Sequence, residues 1–224
     1  MNQYSYQYRP QRTSGIPDVI LALLVINGLV FAGQMMSIYP GLGLSWIDLN
    51  FALWPPIAGE IRGWPAGIPE PGFGIWQLLS YGFLHGNLMH IAFNMFALWM
   101  FGRDLEVMMG SKRFLTYYLF CVVGAGLIQM LVALTQSAFY PTVGASGGVF
   151  GILLAYGMTF PNRRVMLLFP PIPMPAKYFV VMIGVFELYA GFSGRAPGIA
   201  NFAHLGGMFF GFLLLTYWRQ QRRR

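Results

Sequence analysis

The sequence predicts an all-α membrane protein: a bundle of six transmembrane helices with both termini cytoplasmic and a long, membrane-associated first outer loop. Three observations carry this expectation. Of 224 residues, 56% are hydrophobic and only 9% are charged, whereas soluble domains carry about a quarter charged residues. That is too little charge to cover a water-facing surface. Six apolar segments approach the roughly 20 residues that a helix needs to cross a hydrocarbon core about 30 Å thick. Finally, the basic residues are distributed very unevenly between alternate loops.

The elements follow in order. Residues 1–15 form a polar tail with Arg9 and Arg12 and without a cleavable signal pattern. Residues 16–218 form one membrane domain and residues 219–224 a basic cytoplasmic tail. The first span covers residues 16–36, with Asp18 at its entrance. The loop at residues 37–84 is out of proportion, and it holds Trp46, Trp54, Trp64 and Trp76 with Pro55, Pro56, Pro65, Pro69 and Pro71. Loops of this length in compact domains are functional or disordered; the Trp content favours a structure in the headgroup zone. The second span lies between His85 and Arg103, and the third covers 114–134. The fourth, 142–160, opens on a glycine-rich stretch; the fifth, 178–192, is short; the sixth covers 199–218.

Arg9 and Arg12 precede the first span, and Arg103, Lys112 and Arg113 separate the second from the third. Arg163, Arg164 and Lys177 separate the fourth from the fifth, and Arg219, Arg222, Arg223 and Arg224 follow the sixth. Only Arg62 and Arg195 fall on the other side. The positive-inside rule puts the rich side in the cytoplasm. The net charge of +7 and the pI near 9.8 therefore read as anchors at anionic lipid rather than as a nucleic-acid surface. The single Cys121 excludes an intrachain disulfide.

Ionisable groups inside spans are costly and mark functional sites; His90, Glu187 and His204 lie there, with polar Asn94 and Ser146. Gly144-Ala145-Ser146-Gly147-Gly148-Val149-Phe150-Gly151 puts a Ser at or near a helix N-terminus, where free N–H groups favour developing negative charge. The same glycines equally make a small-residue packing face. In the sixth span His204, Gly207 and Gly211 share one helical face, so the His projects from a surface that a neighbour can approach closely. If that neighbour is the fourth span, Ser146 and His204 pair as nucleophile and general base. His90 and Asn94, spaced i, i+4, point the same way and suit oxyanion stabilisation. Asn94 as interhelical glue is the alternative. Metal is the weaker reading of the three histidines, because there is no HExxH pattern and few carboxylates lie in the spans.

The stretch His85-Gly86-Asn87-Leu88-Met89-His90-Ile91-Ala92-Phe93-Asn94, then Gly144-Ala145-Ser146-Gly147, then Ala203-His204-Leu205-Gly206-Gly207 with Gly211, resembles the rhomboid intramembrane serine proteases in their basic six-span bacterial form. The resemblance covers about residues 17–218. It implies Ser146 as nucleophile and His204 as general base, a dyad without an acid. It also implies His90, Asn94 and the Ser146 backbone N–H as oxyanion donors, and Phe150 as an aromatic ring against His204. The short fifth span would be a mobile gate. Transmembrane segments of other proteins would be the substrates, cleaved within the lipid bilayer of a bacterial plasma membrane, with no cofactor, no metal and no nucleic acid, and a monomer would suffice. Trp76-Gln77 stands where many rhomboids have Trp-Arg, and Glu187 is expected to snorkel to the headgroups or to pack in the gate. A catalytically dead client-binding relative and a small transporter are the rival readings. Retention of Ser146 and His204 speaks against the first and the lack of an evident repeat against the second.

Overall fold

The structure, a computed structural model, describes residues 15–56, 64–136, 139–166, 171–193 and 200–221. Expectations placed on Arg9, Arg12, Arg62, Arg195, Arg222, Arg223 and Arg224, and on the start of the sixth span at residue 199, lie outside the described residues. Eight α-helices appear among them: α1 Asp18–Met36, α2 Trp46–Phe51, α3 Gln77–Ser80, α4 Leu88–Met109, α5 Ser111–Gln136, α6 Ser146–Thr159, α7 Ala176–Ser193 and α8 Asn201–Gln221. Each of the six apolar segments coincides with a long or central helix. Three of these, α1, α5 and α7, are long and apolar enough to cross a bilayer. The outward faces are apolar: Leu29, Leu131, Val181, Val185, Phe186 and Phe209 are all exposed, which suits lipid as the solvent.

Several boundaries differ from the sequence expectation. α4 runs past Arg103 to Met109, and Gly110 alone separates it from α5. The extension brings in Glu106, a buried carboxylate with a structural task. Its two oxygens accept the N–H groups of Val19 and Ile20 at 3.0 and 2.9 Å, and the Ser111 hydroxyl donates to it at 2.7 Å. It thereby satisfies donors at the α1 N-terminus that no helix partner reaches. Between α6 and α7 lies a small antiparallel pair, β1 Arg164–Met166 with β2 Pro173–Pro175, an addition to the all-α expectation.

α6 packs against α4, α5, α7 and α8. Its 14 residues make a helix about 21 Å long, too short to cross a bilayer alone. The stretch before it is extended: Leu53 and Thr142 exchange both backbone hydrogen bonds, at 3.0 and 2.9 Å, and the Gly144 N–H donates to the Tyr81 carbonyl at 2.9 Å. The first loop therefore holds the strand that leads into Ser146.

That loop is folded onto the bundle. Ser45 and Asp48 form a reciprocal capping box on α2. Asp48 also receives the Gln34 amide at 2.6 Å, and the Gln34 side chain and the His85 backbone bond each other in both directions. Leu49, Ala52, Trp54 and Leu84 form a second apolar cluster there. Gln77 supplies the loop's polar staple, accepting from the Trp54 N–H at 3.1 Å and donating to the Gly72 carbonyl at 2.9 Å. Trp76 donates to the Asn50 carbonyl. The uncharged Gln77 amide thus both donates and accepts within the loop.

Candidate active site

Ser146 is the first residue of α6, after Ala145 as N-cap. The helix ladder begins where the Val149 N–H donates to the Ala145 carbonyl, so the N–H of Ser146 stands ahead of it, with the positive end of the helix dipole. Gly144 makes the sharp entry with φ at +134°, a conformation that L side chains rarely adopt. A Cβ there would also lie 2.8 Å from the His90 ring.

The crossing of α6 and α8 brings the distant residues together. A Cβ on Gly207 would clash with the Gly147 carbonyl oxygen, far inside van der Waals contact distance, and a Cβ on Gly151 would lie 3.2 Å from the Gly207 carbonyl oxygen. The two backbones meet without side chains between them, which is how small residues let membrane helices approach. His204 lies one turn before Gly207. Its Nε2 is 2.9 Å from the Ser146 Oγ, across 58 residues of sequence. Its ring stacks on Phe150 with centroids 4.1 Å apart and planes 8° apart.

His90 faces this region from α4, its ring beside Gly144, and Asn94 follows one turn later on the same helix. The His90 Nδ1 accepts a long 3.4 Å hydrogen bond from the Gly86 N–H. A neutral ring that accepts at Nδ1 carries its proton on Nε2, and Nε2 is the atom that approaches Gly144. Asn94 is buried, and its Nδ2 has no hydrogen-bond partner among the described residues. A buried amide donor without a partner is costly, and such orphans suit a site that acquires its acceptor during reaction. His85 contacts His90 edge-to-face at 5.1 Å. It lies outside the helices, and burial, with the neighbouring His90 adding to it, pushes its imidazole down to about 3.

Of the two expectations for Glu187, packing within the fifth span agrees with its burial. Snorkelling to the headgroups does not occur: the residue is buried, with neighbours Phe186 and Leu188 exposed on either side. Its Oε2 lies 2.9 Å from the His204 Nδ1. The approach is at ion-pair distance but off the ideal N–H axis, so neither atom completes a well-aligned hydrogen bond. Side chains from α6, α8 and α7, those of Ser146, His204 and Glu187, thus stand in a row.

The sequence holds a signal for this that snorkelling arguments overlook. Gly184, Glu187 and Gly191 repeat the spacing of His204, Gly207 and Gly211 in reverse role, a polar residue flanked by glycines on one face. Cβ atoms on Gly184 and Gly191 would meet Met208 and Phe202 of α8, so that face turns inward.

Comparison with known proteins adds an independent finding. The family model described as Rhomboid domain matches residues 72–221. The chain is similar to Rhomboid protein 1, mitochondrial, of Saccharomyces cerevisiae, 31% identical over 238 aligned positions that cover 94% of this chain and 67% of that protein. It is similar to Rhomboid protease GluP of Bacillus subtilis, 36% identical over 139 positions, 61% of this chain and 25% of that protein. The mouse presenilin-associated rhomboid-like protein, mitochondrial, is 27% identical over 171 positions, 75% of this chain and 45% of that protein. The chain thus spans from a quarter to two-thirds of the length of these relatives.

Proposed function

The chain belongs to the rhomboid family, and from that premise we propose that it is an intramembrane serine endopeptidase that cleaves transmembrane segments of other membrane proteins with Ser146 and His204. The observation that carries the reading is the 2.9 Å separation of Ser146 Oγ and His204 Nε2 at the start of a buried helix. Membership, the apolar helices and their lipid-suited faces make it an integral membrane protein.

His204 Nε2 takes the Ser146 proton as Oγ attacks the scissile carbonyl carbon. Negative charge gathers on the carbonyl oxygen, to be held by the Ser146 N–H, the Asn94 amide and the His90 Nε2–H. Collapse breaks the C–N bond, and the imidazolium of His204 gives its proton to the leaving amine. A water activated by the same ring then hydrolyses the ester and restores Ser146. Substrate helices satisfy their own backbone groups, so local unwinding must precede attack.

The proposal extends to architecture and setting. A protease domain over residues 16–218, with cytoplasmic tails at 1–15 and 219–224, crosses the membrane six times, supported by six apolar segments, each with a helix, and by the one-sided charge. The Trp-rich first loop lies in the outer headgroup zone. A bacterial plasma membrane is the proposed home, supported by the likeness to GluP of Bacillus subtilis, and the proposed chemistry calls on no cofactor, metal or nucleic acid and can be carried out by a single chain.

The test is cleavage of a model transmembrane substrate in detergent and in liposomes, beside labelling by a fluorophosphonate probe. Wild type is expected to cleave and to label, and Ser146→Ala and His204→Ala are expected to lose at least about 10³-fold in kcat. Folded wild-type protein that neither cleaves nor labels would replace this reading with that of a client-binding relative.

A further inference from the structure

Resting on that reading, we propose that Glu187 is a positioning residue for the general base: from α7 its carboxylate stands against the Nδ1 side of His204 and favours the proton there, so that Nε2 is left free to take the Ser146 proton. Three observations carry the step. First, the carboxylate oxygen is 2.9 Å from Nδ1 while the Ser146 Oγ is 2.9 Å from Nε2, so the ring is bracketed on both nitrogens. Second, both side chains are about nine-tenths buried, where a carboxylate has no solvent to satisfy it and must be stabilised by a partner. Phe150 stacks flat on the ring and fixes its plane but not which nitrogen carries the proton. Third, α7 turns a single stripe inward, Ala176, Val180, Glu187 and Ala190, and its remaining surface is largely exposed and apolar. Glu187 is the sole ionisable member of that stripe.

The chemical consequence follows from the tautomer. A carboxylate at Nδ1 keeps the proton there, which leaves the Nε2 lone pair directed at the hydroxyl, and it stabilises the imidazolium that forms when Ser146 is deprotonated. Because the acid stands on a different helix from the Ser and the His, the arrangement is complete only while α7 is packed on α8. A substrate that displaced α7 would loosen the base, and its return would restore it.

The experiment uses the full chain in detergent with the transmembrane substrate above. Glu187→Gln keeps the shape and removes the charge, and Glu187→Asp keeps the charge and shortens the reach. Expected for Glu187→Gln is a fall in kcat of about 10- to 100-fold, milder than the loss of a well-aligned triad acid because the contact is off-axis. KM stays within about twofold, since the residue touches no substrate, and fluorophosphonate labelling slows in proportion while the thermal unfolding temperature holds. Glu187→Asp is expected to recover part of that rate. A Glu187→Gln protein that cleaves and labels like an active wild type would overturn the positioning role and leave the protease reading intact, whereas an inactive wild type would fail the protease reading itself. Where Glu187→Gln does not fold, Glu187→Asp decides alone: reduced kcat at unchanged KM supports the role, and wild-type kcat overturns it.

Discussion

The two faces of α8 are built on different principles. Towards α6, backbone meets backbone: Gly207 lies against the Gly147 carbonyl and Gly151 against the Gly207 carbonyl, with no side chain between. Towards α7, side chains fill the gap, with Met208 opposite Gly184 and Phe202 opposite Gly191, and Phe192 edge-on to Phe202 at 5.6 Å. The first seam has one allowed geometry, because carbonyl groups cannot change rotamer. The second can slide, because methionine and phenylalanine adapt their shape. Ser146 and His204 are joined across the rigid seam. The Glu187 carboxylate reaches His204 across the soft one. This division lets one part of the site stay fixed while the other follows the movement of a helix.

Substitutions on the two faces separate the seams. Gly207→Ala is expected to give the largest effect. Its methyl meets a carbonyl oxygen rather than a flexible side chain, so the helices must part, at a cost above about 3 kcal/mol. Thermal unfolding in detergent should show a lowered midpoint and fluorophosphonate labelling should vanish; a stable, active Gly207→Ala protein would mean that the crossing is not rigid.

Acid provides an intermediate probe of a third seam, between loop and bundle. Both ring nitrogens of His85 are buried without a hydrogen-bond partner among the described residues. Its folded value, pushed down to about 3, lies below the ordinary 6.5, so the unfolded chain binds the proton first. Stability from this group is present above about pH 6.5 and is lost as pH falls towards 3. Unfolding midpoints measured across that window should decline for wild type and decline less for His85→Gln. An equal slope for both would place the acid sensitivity elsewhere.

The smallest change is expected at Gly184→Ala. The added Cβ meets Met208 at ordinary contact, 3.5 Å, and alanine raises helix propensity, so stability should stay within about 1 kcal/mol of wild type. A collapse as deep as that of Gly207→Ala would erase the distinction between the two seams.

Much of the site was legible because each motif is local. The spacing of His204, Gly207 and Gly211 marks a close-packed face without any knowledge of the neighbour, and the run around Ser146 marks a helix start. Gly184, Glu187 and Gly191 carry a comparable mark, but a long acidic side chain near a helix end is equally compatible with snorkelling, and only its direction separates the two. Glu106 was hidden for another reason: α4 continues beyond Arg103 through Asp104 and Glu106, and the partners that satisfy the buried carboxylate, the Val19 and Ile20 N–H groups, come from a helix more than eighty residues away.

The sequence by itself marked the apolar helical segments, the uneven distribution of basic residues between alternate loops and the local motifs around His90, Asn94, Ser146 and His204. Hydropathy and the 3.6-residue repeat are properties of short stretches, and short stretches suffice to read them. Only the tertiary structure decided that α6 and α8 cross at Gly147 and Gly207, that the first loop pins the strand before Ser146, and that Glu187 turns to His204 and away from the headgroups. Those outcomes depend on the rotation of one helix against another, which is set by contacts between residues tens of positions apart and leaves no period in the chain.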